Sequence, residues 1–137
     1  MTDTRHIRQT FHRASGLELR STWQSTQAYK RHSHPQLSIG AIMEGQTCCV
    51  CHDREYILHP GDLIVIPAYA PHSCNPIAGQ ARSYHMLYID TGLPLALQVI
   101  RSPTLFAHYL DVVETLSPAS LETLLSSLPR AADNADA

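Results

Sequence analysis

The sequence predicts a mainly β chain, a small barrel or sandwich of short strands followed by two α-helices. Three observations carry this reading. Between Leu17 and Ala81 short apolar or alternating runs are punctuated by Gly, Pro and Asp about every ten residues, the rhythm of an all-β fold. Beyond Asp90 the apolar period changes from two to helical, and Ser102-Pro103 and Ser117-Pro118 each set a capping hydroxyl ahead of a proline. With 137 residues, 44% of them hydrophobic, the chain can bury one core, covering roughly two-thirds of its unfolded surface.

The elements follow in order. Strands are expected at Leu17–Trp23, Leu37–Met43, Gln46–Cys51, Glu55–Leu58, Leu63–Ile66, Ser73–Pro76 and Arg82–Asp90. Glu44-Gly45 reads as a hairpin joining the second and third of these, and His52-Asp53-Arg54 turns the chain into the fourth. In Pro60-Gly61-Asp62, proline presets φ and glycine supplies the left-handed position of a turn. Thr91-Gly92-Leu93-Pro94 ends the last strand. Leu105, Tyr109, Val112, Val113 and Leu116 then recur at helical spacing within Pro103–Leu116, and Ala119–Leu128 forms a second helix that ends at Pro129.

Charge and cysteine usage narrow the function classes. A net charge of −2, with no stripe of Lys or Arg, leaves no electrostatic footprint for nucleic acid on this chain alone. No apolar run approaches the ~18 residues of a membrane span, and the N-terminus lacks a signal-peptide core, so the chain reads as cytoplasmic. Cys48, Cys49, Cys51 and Cys74 lack the spacing of a secreted disulfide framework. They are expected as buried small hydrophobes, with Cys48-x-x-Cys51 matching a redox motif in letters only.

The chemistry concentrates in histidines. Arg31-His32-Ser33-His34 places two imidazoles on one face if the segment is a strand. The turn at Pro60-Gly61-Asp62, the run Leu63–Ile66 and Pro67 lead on to His72, which can join them. Three imidazoles suit zinc or a similar divalent ion with one position left open; the alternative is a hydrogen-bonding pocket wall without metal. By parity Gln36, Ser38 and Gly40 share the histidine face, while Leu37, Ile39, Ala41 and Met43 form an apolar face suited to packing. Tyr84, Met86 and Tyr88 on the last strand, with Cys74 and the polar positions Gln36 and Ser38, are the candidate walls of a ligand pocket. No residue is assigned a catalytic role.

These segments, in this order and spacing, resemble the cupin family. His32, His34 and Gly45 fit the first cupin motif and Gly61, Pro67 and His72 the second. Ser38 stands where the motif has its carboxylate ligand, Tyr69 replaces a glycine, Asn75 comes one residue early, and Thr26 replaces the leading glycine. From Leu17 to Leu128 the chain looks more narrowly like the effector-binding domain of AraC-type transcriptional regulators. That resemblance implies a cupin-like double-stranded β-helix, a jelly-roll barrel, over residues 1–92. It further implies a helical dimerisation or linker segment over 93–129; residues 130–137 read as a disordered tail. It also implies a small-molecule effector, a homodimer through the C-terminal helices, and DNA contact only through a helix-turn-helix half absent from this chain. The competing class is a free-standing metal-dependent cupin enzyme, a dioxygenase or isomerase, using His32, His34 and His72. Against it stand the missing carboxylate at Ser38 and the lack of a general base near the motifs.

Overall fold

The computed structural model describes residues 8–14 and 16–130. Its strands are β1 (Arg8–Ala14), β2 (Leu17–Ser25), β3 (Leu37–Glu44), β4 (Thr47–Cys51), β5 (Arg54–Leu58), β6 (Leu63–Ile66), β7 (His72–Pro76), β8 (Arg82–Ile89) and β9 (Gln98–Ile100). Two helices follow, α1 (Pro103–Thr115) and α2 (Pro118–Ser127). The strands form two antiparallel sheets, a large one ordered β1-β2-β8-β3-β6-β9 and a small one ordered β5-β4-β7.

Side-chain alternation sorts the layers. In β6, Leu63 and Val65 belong to one apolar cluster while Ile64 and Ile66 belong to another. In β3, Leu37, Ile39 and Ala41 join the first cluster and Ile42 the second. The large sheet is therefore the middle layer, with helices on one face and the small sheet on the other. A strand covered on both faces reads as an unbroken apolar run, which is why Leu63–Ile66 shows no alternation.

The helices start where the sequence signals them. Ser102 Oγ accepts from the Leu105 amide at 3.1 Å, Ser117 Oγ accepts from the Ser120 amide at 3.1 Å, and each helix carries proline in its first turn. These bonds satisfy amides that have no partner within the helix. Tyr109, Val112 and Leu124 are fully buried against Leu19, Ile39 and Leu87 of the large sheet. The Tyr109 hydroxyl donates to the Ile39 carbonyl at 2.7 Å and pins α1 to β3.

Several local expectations are corrected. Gly45 does adopt a left-handed φ of +74°, and a Cβ there would run into the Ala81 carbonyl. The Glu44-Gly45 turn is nevertheless no hairpin, because β3 already has β6 and β8 on its two edges and β4 pairs with β5 and β7. The turn is a corner that carries the chain from one sheet to the other. The true two-residue hairpin joins β4 and β5, where His52 and Asp53 have φ of 52° and 64°, the backbone of a type I′ turn. Two strands went unread. β1 is a polar edge strand without clean alternation, and β9 lies within the segment 93–129 expected to be helical, where it pairs with β6. Of the tail expected over 130–137, residues 131–137 lie outside the described residues.

The cysteine expectation changes as well. Cys49 and Cys74 sit directly opposite each other across β4 and β7, with Cα atoms 4.0 Å apart, and form a disulfide. Sheet register, not sequence spacing, makes the pair. Cys51 keeps the expected role of a buried small hydrophobe, and Cys48 is a half-buried free thiol.

Candidate functional site

His32 and His34 do not lie on a strand, since β3 begins only at Leu37. Their placement comes from an isolated bridge: the His32 amide donates to the His72 carbonyl at 2.9 Å and the His72 amide to the His32 carbonyl at 2.8 Å. The Tyr69 amide donates to the His34 carbonyl at 2.6 Å and holds the same segment one step further along. Backbone pairing thus brings the three imidazoles together where strand alternation was expected to do so. Their ring centroids are 4.6 to 5.6 Å apart, and one nitrogen from each lies within 4.8 Å of the others.

The ring hydrogen bonds decide which nitrogen is free. His32 Nδ1 lies 2.8 Å from the Lys30 carbonyl and His72 Nδ1 lies 2.9 Å from the Ala70 carbonyl. A carbonyl only accepts, so each Nδ1 carries the proton and each Nε2 keeps its lone pair. This is the outer-shell arrangement that orients histidine ligands around a metal. Burial pushes His34 down to about 4, helped by the neighbouring His32 and His72 and by Arg20 and opposed by Glu18. Burial also lowers His72, against the opposing bond to Ala70. Both rings therefore stay neutral at ordinary pH, the form a metal requires. The donor set fits a divalent ion with three imidazole ligands.

Beside this cluster, a cavity of about 60 Å³, measured for the centres of water-sized spheres, opens between the two sheets. His32 and His72 are among its walls, together with Cys74, Tyr84, Met86 and Tyr88 from the expected pocket set. Gln36 and Ser38 are not among them. Gln36 precedes β3, and Ser38 is buried beside Tyr88 in the sheet, its Oγ without a hydrogen-bond partner. Gly40 continues the same face: a Cβ there would lie 3.0 Å from Met86 Cε, so the missing side chain gives Met86 its place. Cys74 reaches the cavity as half of the disulfide, so its sulfur is not a free thiol ligand.

The walls missed in the sequence include two arginines and a tyrosine among mainly apolar or small residues. Arg20 lies 5.3 Å from the Tyr88 ring centre and Arg82 lies 5.2 Å from that of Tyr84. Tyr29, Gly40, Ile42, Thr47, Cys49, Leu58, Ile64 and His85 complete the surface. Arg82 shares strand parity with Tyr84, Met86 and Tyr88, a signal present in the sequence. Burial drives the Tyr84 hydroxyl up to about 12, with the hydrogen bond to Tyr29 adding to it and that to Thr22 opposing it. His85 has the other parity; its Nδ1 lies 2.7 Å from Ser21 Oγ and its ring meets Trp23 edge-on, away from the three-histidine cluster.

Fold and site together define a cupin-type barrel with a cavity between its sheets. The chain resembles, at TM-score 0.53 and 7% identity, a cupin family protein with a double-stranded β-helix fold from Methanocaldococcus jannaschii, over 65% of this chain and 86% of that one. It also resembles AerE from Microcystis aeruginosa, at TM-score 0.63 and 18% identity, over 69% of this chain and 47% of that one. Residues 15–136 match the AraC-like ligand binding domain, and the chain belongs to that family. In sequence it is 36% identical over 63 residues to the uncharacterized HTH-type transcriptional regulator YbfI of Bacillus subtilis (strain 168). That match covers 46% of this chain and 23% of the regulator, so the chain spans under a quarter of its relative's length.

Proposed function

We propose that this domain is the sensory part of a transcriptional regulator, in which a small molecule entering the inter-sheet cavity changes how α1 and α2 are presented. The observation that carries this reading is the shared sheet. β3 and β8 supply cavity walls Gly40, Ile42, Tyr84, Met86 and Tyr88 on one face, and on the other they seat the helices through Ile39 and Leu87. A ligand that prefers one arrangement of these strands shifts the helices by its difference in affinity for the two states.

His32, His34 and His72 are the residues that would hold a divalent ion, zinc or similar, and the ion would supply a Lewis-acidic anchor for an oxygen atom of the effector. The chain's own part is to present the His32 and His72 rings with Nε2 free and to border the cavity with them. Half-buried Phe106, Leu110 and Val113 on α1 support a homodimer through the helices, and DNA contact would fall to a helix-turn-helix region of the parent regulator. Absence of a helix long and apolar enough to cross a membrane among the described residues fits a cytoplasmic regulator.

The test is a thermal-shift screen of small metabolites against protein without a His-tag, beside Met86→Trp, whose larger side chain fills the cavity. The expected result is at least one compound that stabilises the parent chain and not the variant. Elemental analysis of the same preparation and of His72→Ala separates the metal: stoichiometric zinc lost in the variant supports the site. If no zinc binds even when added, the histidines are hydrogen-bonding walls. Absence of any cavity-dependent compound overturns the sensor, and turnover of a stabilising compound would favour the cupin enzyme instead.

A further inference from the structure

The cavity contains a cation that the sensor reading leaves unexplained. Arg82 opens β8, is 1% exposed, and is among the residues lining the cavity. Its Nη1 donates to the Ser25 carbonyl at 2.8 Å and its Nη2 to the Cys74 carbonyl at 3.4 Å. Its guanidinium sits 5.2 Å from the Tyr84 ring centre, and its Nε has no hydrogen-bond partner. Among the described residues no carboxylate pairs with it; Glu18 is paired with Arg20 and Asp62 with Arg101.

A buried guanidinium is an expensive object. It does not escape by losing its proton, as a lysine or histidine does. Two carbonyls and a ring face solvate it without cancelling its charge, and an unpaired buried charge is tolerated where something else supplies the counter-charge. The cavity borders Arg82, although the side chain presents almost no surface to it. Aromatic Tyr29 and Tyr84 and apolar Ile42, Leu58 and Ile64 line the same space, which suits a short apolar body behind a charged head. The volume sets the size: about 60 Å³ set against ~10–15 Å³ for one water on this measure admits a ligand of few non-hydrogen atoms.

We propose that Arg82 receives the anionic head of the effector, so that the effector is a small carboxylate carrying a short apolar or aromatic body. This rests on the sensor reading above and names its ligand class. Arginine's planar fork matches a carboxylate; Nε is itself sealed, so the pairing would use the Nε–Nη2 edge once the long 3.4 Å contact of Nη2 with the Cys74 carbonyl gives way. A merely structural Arg82, tying β8 to Ser25 and β7, would hold the barrel together but would not discriminate between charged and neutral ligands of one shape.

The experiment compares isosteres on the whole chain, in EDTA so that no metal contributes. Propionate is set against propionamide and benzoate against benzamide, by thermal shift and calorimetric titration. The expected result is that the carboxylates stabilise the protein and bind at least tenfold more tightly than the amides. Arg82→Gln should abolish that preference, and Arg82→Lys should retain part of it, which covers the case in which the glutamine variant fails to fold. Equal binding of acid and amide by the parent protein overturns the proposal. So does a preference that survives in Arg82→Gln, binding of the acids only when zinc is restored, or no binding of either acid. If neutral compounds from the wider screen still occupy the cavity, the sensor stands and only the anion assignment falls.

Discussion

Along β8 the two faces of the large sheet can be compared residue by residue. Leu87 and Ile89 join Tyr109, Val112 and Leu124 in a dry cluster under the helices. Arg82, Tyr84, Met86 and Tyr88, interleaved with them, line the cavity on the other side. One face carries fully buried aliphatic side chains, the other a cation, hydroxyls and sulfur around open space. The difference teaches that the packed core and the cavity wall are separated by one step along the chain, not by domain or loop. Substitution effects should therefore alternate with the strand.

The largest expected effect tests that alternation directly. Leu87 is completely buried, and Leu87→Ala should cost about 3–4 kcal/mol, from lost transfer energy plus the cavity left behind. Met86, its neighbour, is half-buried and already borders empty space, so Met86→Ala should cost under about 1.5 kcal/mol, because it removes few packed contacts. Urea unfolding midpoints of the two variants are the measurement. Equal losses would break the comparison, since both faces would then be bearing the fold alike.

Next in size is the link between the faces. The Tyr109 hydroxyl donates to the Ile39 carbonyl, one residue before Gly40 in the cavity wall. Tyr109→Phe removes that buried hydrogen bond and should cost about 1 kcal/mol. If the sheet transmits occupancy to the helices, the same variant should alter the helices' protection from hydrogen exchange when a cavity compound binds. Unchanged stability together with unchanged exchange would show that α1 is not coupled to β3 through this contact.

How much of this was legible in the sequence follows from what each feature depends on. Strands β2 to β8 and both helix starts are written in local pattern, in alternation, turn glycines and Ser-Pro caps, so they could be read. β9 is three residues long and β1 is a polar edge strand, so neither carries a pattern of its own; only pairing with β6 and β2 makes them strands. The same limit governs the site. His32, His34 and His72 were found by motif, yet the bridge that gathers them is a tertiary event. Cys49 and Cys74 meet through register. Gln36 and Ser38 were assigned to the pocket by extending strand parity past the start of β3 and past the bulk of Tyr88. Arg82, by contrast, has the parity of Tyr84, Met86 and Tyr88, so its place on the cavity face is legible in the strand pattern.

The smallest effect concerns pH, and it sharpens the comparison at His85, which alternates with Tyr84 and Met86 along β8 yet also borders the cavity. Burial lowers His85 below the ordinary histidine value, and His85 is a buried ring bonded to Ser21, set apart from the metal cluster. Above about pH 6.5 the ring is neutral in folded and unfolded chains alike and contributes no pH dependence. As pH falls through that value the unfolded chain takes up a proton that the folded chain resists, so stability declines until the lowered folded pKa is reached. The slope for one such group is at most about 1.4 kcal/mol per pH unit. His34 and His72, also lowered by burial, add declines of the same sign from the three-histidine cluster. Urea midpoints between pH 7.5 and 5.0 should therefore fall with acid, and His85→Gln should flatten the fall without abolishing it. Zinc, if held by the other cluster, should protect the remaining part. Parallel curves for the parent and the glutamine variant would mean that His85 accepts its proton in the folded state, and that its surroundings are wetter than its burial implies.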